Sequence, residues 1–273
     1  MFKRVLWMDL KRSFAPRKFW SIITVCVILC FLSVADDLPL HMKRIADGGD
    51  PGSGAVNQLH RAMLFDTFKV IMVFAFSGLY TNCFCRDESE CYLRMILCRV
   101  DSTTYSCSKF LANLLTILCA SVLTFLLAAI GYMLLGYPFI SDDATKSTLN
   151  AILYKDVAEN VPLLYLLMMA LQFGMITAAC SSVGLLYSAY QPESFISIGA
   201  SGLVFFLMLS LSMLGLNETP FNLLELLGMR TMLPGENPVL AYAWGMMYPL
   251  IVIVLCCMKF EKRMKWRAEN GII

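Results

Sequence analysis

Long apolar runs separated by short polar clusters set the pattern of this chain. Six stretches hold almost no charge over a length that suits a membrane helix: residues 19–35, 70–85, 110–137, 162–190, 195–216 and 239–258. A helix needs roughly 20 mainly apolar residues to span a bilayer, with about 17 tolerated. The second stretch is the weakest, being short and carrying Asn82. The pattern predicts an all-α integral membrane protein with six transmembrane helices. Residues 1–273 form one transmembrane domain, because no loop is long enough to house a folded soluble unit. The first stretch lacks a small-residue cleavage pattern and follows an amphipathic segment, so it reads as a retained span rather than a signal peptide.

Two shorter segments follow a different rule. At 100° per residue, Phe2, Leu6, Trp7, Leu10 and Phe14 gather on one side of a helix over residues 1–18, with Arg4, Lys11 and Arg12 opposite. That is the pattern of a helix lying on the inner membrane surface, and Pro16 turns the chain from it into the first span. Residues 217–237 hold Phe221, Leu223, Leu224, Leu227 and Met232, too few to cross, with Thr219-Pro220 as a helix start. They are expected to form an outer re-entrant or interfacial segment, or simply a covering loop. Within the fourth span Gly174, Ala178 and Ser182 recur every fourth residue, a stripe that lets helices approach closely within one chain or between two.

Charge assigns the sides. Fifteen of the 22 Lys and Arg residues lie in the N-terminal segment, in residues 86–109 and in the tail after residue 258. Twelve of the 20 acidic residues lie on the other side. Basic residues stay in the cytoplasm, so both termini are expected there, in a plasma membrane and most simply a bacterial inner membrane. All 11 cysteines fall in spans or on that same side, so no disulfide framework is expected. Cys83, Cys85, Cys91, Cys98 and Cys107 lack the paired spacing of a structural zinc site, and no metal is assigned to them.

Composition excludes several functions. At 58% hydrophobic and 15% charged, with a net charge of +2, the chain is neither an ordinary soluble enzyme nor a nucleic-acid binder. The last four spans carry almost no ionisable group, and the only histidines, His41 and His60, lie in the first outer loop. Proton relays and ion pathways place such groups inside the bilayer. No Gly-x4-Gly-Lys-Ser/Thr occurs, so energy for uphill transport has to come from a partner.

The segment at 86–109 remains. Tyr92, Leu93, Met95, Ile96 and Leu97 alternate there with Glu88, Glu90, Arg94 and Arg99, and Asp101-Ser102 marks the start of the third helix. By composition alone this is a solvated positive-inside loop, its charges paired locally, with a short helix. Its order of Glu88, Tyr92-x-Arg94, Arg99 and Tyr105-x-x-Ser108-Lys109, with the surface helix and six-span layout, resembles an ABC-2-type transporter permease. The resemblance implies the membrane subunit of an ATP-driven exporter, not itself an enzyme. A separate nucleotide-binding ATPase would hold ATP and Mg2+, and a second permease, copy or paralogue, would complete the pathway. Loop 86–109 would be the coupling loop, with Glu88, Glu90, Tyr92, Arg94, Arg99, Tyr105 and Lys109 as its interface to the ATPase. Apolar spans suggest a hydrophobic or amphipathic substrate such as a peptide, a lipid-like molecule or a drug. The rival readings are a non-transporting immunity or assembly protein and an ion-coupled secondary transporter.

Overall fold

The computed structural model describes residues 2–14, 16–47, 54–64, 66–139, 157, 160–214 and 238–270. Every regular element among them is helical. The first helix, α1 (Phe2–Ser13), bends by 56° into α2 (Pro16–Leu32), with Pro16 at the first helical position, where its missing N–H costs nothing. Then come α3 (Leu38–Ala46), α4 (Ala55–Leu64), α5 (Asp66–Tyr80), α6 (Cys83–Ser89) and α7 (Tyr92–Leu97). Three long helices close the chain: α8 (Ser102–Leu134), α9 (Pro162–Ser188) and, after α10 (Ser194–Leu214), α11 (Pro238–Glu269).

Hydrogen bonds between distant residues fix how the helices run. Tyr132 of α8 donates to the Cys30 carbonyl of α2 at 2.6 Å, and Thr103 donates to Glu261 of α11 at 2.8 Å. Ser197 of α10 donates to the carbonyls of Thr81 and Gly184, each at 3.1 Å. Arg267 near the end of α11 reaches the Ala189 carbonyl at 3.4 Å. The passes α2, α5–α6, α8, α9, α10 and α11 therefore alternate in direction. Helices α1, α6 and α7 and the basic tail share one end of the bundle, called the basic end below. Among the described residues five helical stretches are long and apolar enough to cross a membrane: Phe68–Ser89, Ser102–Leu134, Pro162–Ser188, Ser194–Ser212 and Val239–Glu269. The bent pair α1–α2 makes a sixth when counted as one span.

The bundle centres on α9, which packs against α5, α8, α10 and α11. Phe173 meets Phe125 and Phe76 with ring centroids 5.9 and 6.1 Å apart. Gly174, Ala178 and Ser182 are all buried, and Gly174 and Ser182 meet α8. A side chain at Gly174 would overlap the Ser121 hydroxyl, and Asn113 donates to Ser182 at 3.4 Å. Ser181 donates to Asn113 Oδ1 at 2.8 Å and lies 2.9 Å from the Thr81 hydroxyl, linking α5, α8 and α9. Where both surroundings are apolar, close approach and such bonds hold helices together.

Two expectations change and one holds. The apolar run stops at Cys85, yet helix continues to Ser89, whereas the third helix starts at Ser102, where the Asp101-Ser102 signal puts it, ahead of its apolar run. Residues 86–109 thus keep little loop, because the polar ends of this segment find buried partners that let the helices run on. Residues 36–69, expected as an outer loop, contain a 3-10 turn, α3, α4 and the start of α5. There Val56, Leu59 and Met63 form a buried face of α4, and its first N–H groups bond the Pro138 and Phe139 carbonyls at 2.8 and 3.4 Å. The re-entrant segment expected at 217–237 lies outside the described residues.

Candidate functional site: a buried ion cluster at the basic end

Val5, Asp9 and Ser13 recur every fourth residue, so one stripe of α1 faces the bundle, and all three are buried. In the middle of that stripe Asp9 accepts from Lys109 Nζ at 2.7 Å and from the Ser108 hydroxyl at 2.8 Å. Lys109, only 1% exposed, also bridges to Asp87 Oδ2 at 2.6 Å. Asp87 accepts the Tyr105 hydroxyl at 3.0 Å on that oxygen and Arg12 Nη1 at 2.9 Å on the other. Two carboxylates and two cations balance, and every carboxylate oxygen has a donor. That is the condition under which charge can stay buried, since each unpaired ion costs several kcal/mol. Burial works against the Arg12 charge, but Asp87 and Tyr92 outweigh it and hold the guanidinium pKa above its ordinary value.

The cluster ties three elements distant in sequence: α1, α6 and the first turns of α8. Beyond it Arg267 forms a two-pronged ion pair with Glu88, one contact at 3.1 Å, which joins the end of α11 to α6. Arg12 stacks 4.5 Å above the Tyr92 ring and brings α7 into the same assembly.

The expected interface residues divide accordingly. Tyr105 and Lys109 are wholly buried and serve the internal cluster, so their side chains present nothing to a partner. Glu88 is half-buried against Arg267. Glu90 caps the end of α6, exposed, with Arg86 3.9 Å away. Tyr92 lies under Arg12, and Arg99 stands exposed after α7. Arg94 belongs to α7, with its side chain outside the description. On α1, Leu6 and Leu10 pack partly against the core, whereas Phe2, Phe14 and above all Trp7, 69% exposed, point outward. The helix therefore has a protein face, an outward aromatic side and a basic side, rather than the two faces its periodicity predicts.

Between α1 and α7 lies a groove of about 340 Å3 with Val5, Met8, Met95, Ile96 and Val100 on its walls and Arg4 and Arg99 beside them. Among the described residues neither arginine has an ion pair or hydrogen bond. Sequence reasoning missed Asp9, Asp87, Arg12 and Arg267 as site residues. Asp9 carried a signal, being the only acidic residue in an otherwise basic N-terminal segment. No protein family, curated protein or solved structure matches the chain.

Proposed function

We propose that this chain is the membrane permease subunit of an ATP-driven exporter of the ABC-2 type, with six spans and both termini in the cytoplasm of a cell whose plasma membrane it occupies. A separate ATPase subunit binds ATP and Mg2+, and a second permease, identical or paralogous, completes the pathway for a hydrophobic or amphipathic substrate. The observation that carries this reading is the buried ion cluster. It supports a basic end that moves as one body, because Lys109 holds α1 and α6 to the root of α8.

Force applied at the basic end then has a defined route. A partner resting on α7 and the groove presses on Val5 and Met8 of α1. Asp9, one turn beyond Val5, passes the load to Lys109 and so to the long helix α8. Glu90, Met95 and Arg99 stay exposed on this face and serve for docking. Apolar side chains supply the anchor there, and the rim charges supply orientation. The energy that shifts α8 between access states is the difference in partner affinity for those states.

The test is purification of the tagged full chain from its native membrane in mild detergent, followed by partner identification and an ATPase assay. A stoichiometric Walker-motif partner is expected, with transport, but not membrane insertion, lost in Arg99→Glu. A chain that purifies alone, under conditions that preserve known transporter complexes, overturns the reading in favour of a stand-alone binding protein.

A further inference from the structure

A second cavity, about 180 Å3, opens where α1 bends into α2 and α5 meets α6. Its lining includes Asp9, Arg12, Lys18, Asn82, Arg86 and Lys109. Arg12 and Lys109 are already neutralised by Asp87 and Asp9, and both Asp9 oxygens are occupied by Lys109 and Ser108. Two cations are left over. Among the described residues Lys18 donates only to the Leu79 carbonyl, at 3.4 Å, and Arg86 has only Glu90, at 3.9 Å on the exposed side. Lys18 and Arg86 line one small cavity, and neither pairs with the Asp9 that shares it.

The position identifies the missing anion. Phe14 and Trp20, both exposed, flank the bend at the start of α2, and above them Val25, Ile28 and Leu32 present an exposed apolar stripe. Exposed aromatic residues at the mouth of an apolar helix mark headgroup depth, and basic pockets between helices on the inner side take anionic headgroups. We propose that this cavity binds the phosphate of an anionic phospholipid, with Lys18 and Arg86 as charge partners and Asn82 as a polar wall, its acyl chains running along the outer stripe of α2. The lipid supplies the negative charge that the chain lacks at its first bend. It also braces α1 against α5, next to the ion cluster. The site does not depend on the permease reading.

The experiment measures retention of dioctanoyl phosphatidylglycerol, dioctanoyl phosphatidylcholine and inorganic phosphate by the purified full chain, using native mass spectrometry from mild detergent. Phosphatidylglycerol is expected to bind as one copy, and phosphatidylcholine much more weakly. Competition by millimolar inorganic phosphate would assign the site to a free phosphate anion, and its failure to compete to the lipid headgroup. The pair Lys18→Gln and Arg86→Gln should weaken phosphatidylglycerol binding about twenty-five-fold, from roughly fivefold for each basic charge. Lys11→Gln, which removes a cation that does not line the cavity, should leave binding unchanged. Glu90→Gln frees Arg86 and should tighten it, which tests the site without removing a ligand. Equal retention of the two lipids, or unchanged binding in the double variant, overturns the proposal.

Discussion

Replacement of Lys109 by methionine is the sharpest test of the ion cluster. The two side chains are of similar length, so packing among Tyr80, Tyr105 and the α1 stripe changes little while one positive charge disappears. Asp9 and Asp87 then remain buried with Arg12 as the sole cation, and Asp9 keeps only the Ser108 hydroxyl. Breaking a buried ion pair by removal of one partner costs about 3–5 kcal/mol, and Lys109 serves two carboxylates, which puts the expectation in the upper half of that range. Asp9→Asn combined with Lys109→Met restores neutrality, because Arg12 and Asp87 still pair at 2.9 Å. The double variant should therefore recover about 2 kcal/mol relative to the sum of the two single changes. Equilibrium unfolding of the purified protein in mixed micelles, followed by tryptophan fluorescence, measures all three. A coupling below about 0.5 kcal/mol, the usual limit of additivity for independent sites, would refute the cluster as a mutually dependent unit.

Close packing and helix register give two further predictions. A Cβ at Gly184 would overlap the Ser197 backbone carbonyl, whereas one at Gly174 meets the Ser121 hydroxyl, which can rotate away. Gly184→Ala should therefore destabilise the protein by about 1–3 kcal/mol and Gly174→Ala by clearly less, in the same unfolding assay; the reverse order would contradict the packing. Thr103 meets Glu261 across antiparallel α8 and α11, and one turn further Cys257 lies beside Cys107. A variant that keeps only those two cysteines should form an intramolecular disulfide with a copper-phenanthroline oxidant, seen as a shift on a non-reducing gel. Its absence would mean that the register of α8 against α11 is wrong.

What the sequence discloses is local. Asp101-Ser102 starts α8 because a cap and the turn that follows it are neighbours in the chain, and the 3.6-residue period alone outlines α1. Gly174, Ala178 and Ser182 announce close packing by their size and spacing. The role of Asp9 is of another kind. Its partner stands 100 residues away, and nothing in the pattern of α1 separates a buried carboxylate from a solvated one. Lys109 falls in the expected interface through the Tyr105-x-x-Ser108-Lys109 order, yet its ammonium turns inward to Asp9 and Asp87. The run-on of α6 to Ser89 escaped for the same reason: apolar runs end where polar residues begin, unless those residues are satisfied inside the protein.

The separation of Asp9 from Lys109 also orders the birth of the protein in time. At about 5–20 residues per second, the ribosome needs roughly 5–20 s to reach the 100th residue beyond Asp9. Throughout that interval the first helix has a carboxylate with no buried partner. It must wait in the headgroup region, where water can serve the charge, while α2 and α5 enter the bilayer. Docking of the N-terminus is therefore a late event in assembly, and a nascent chain halted before Lys109 should leave α1 open to protease, whereas the finished protein shields it.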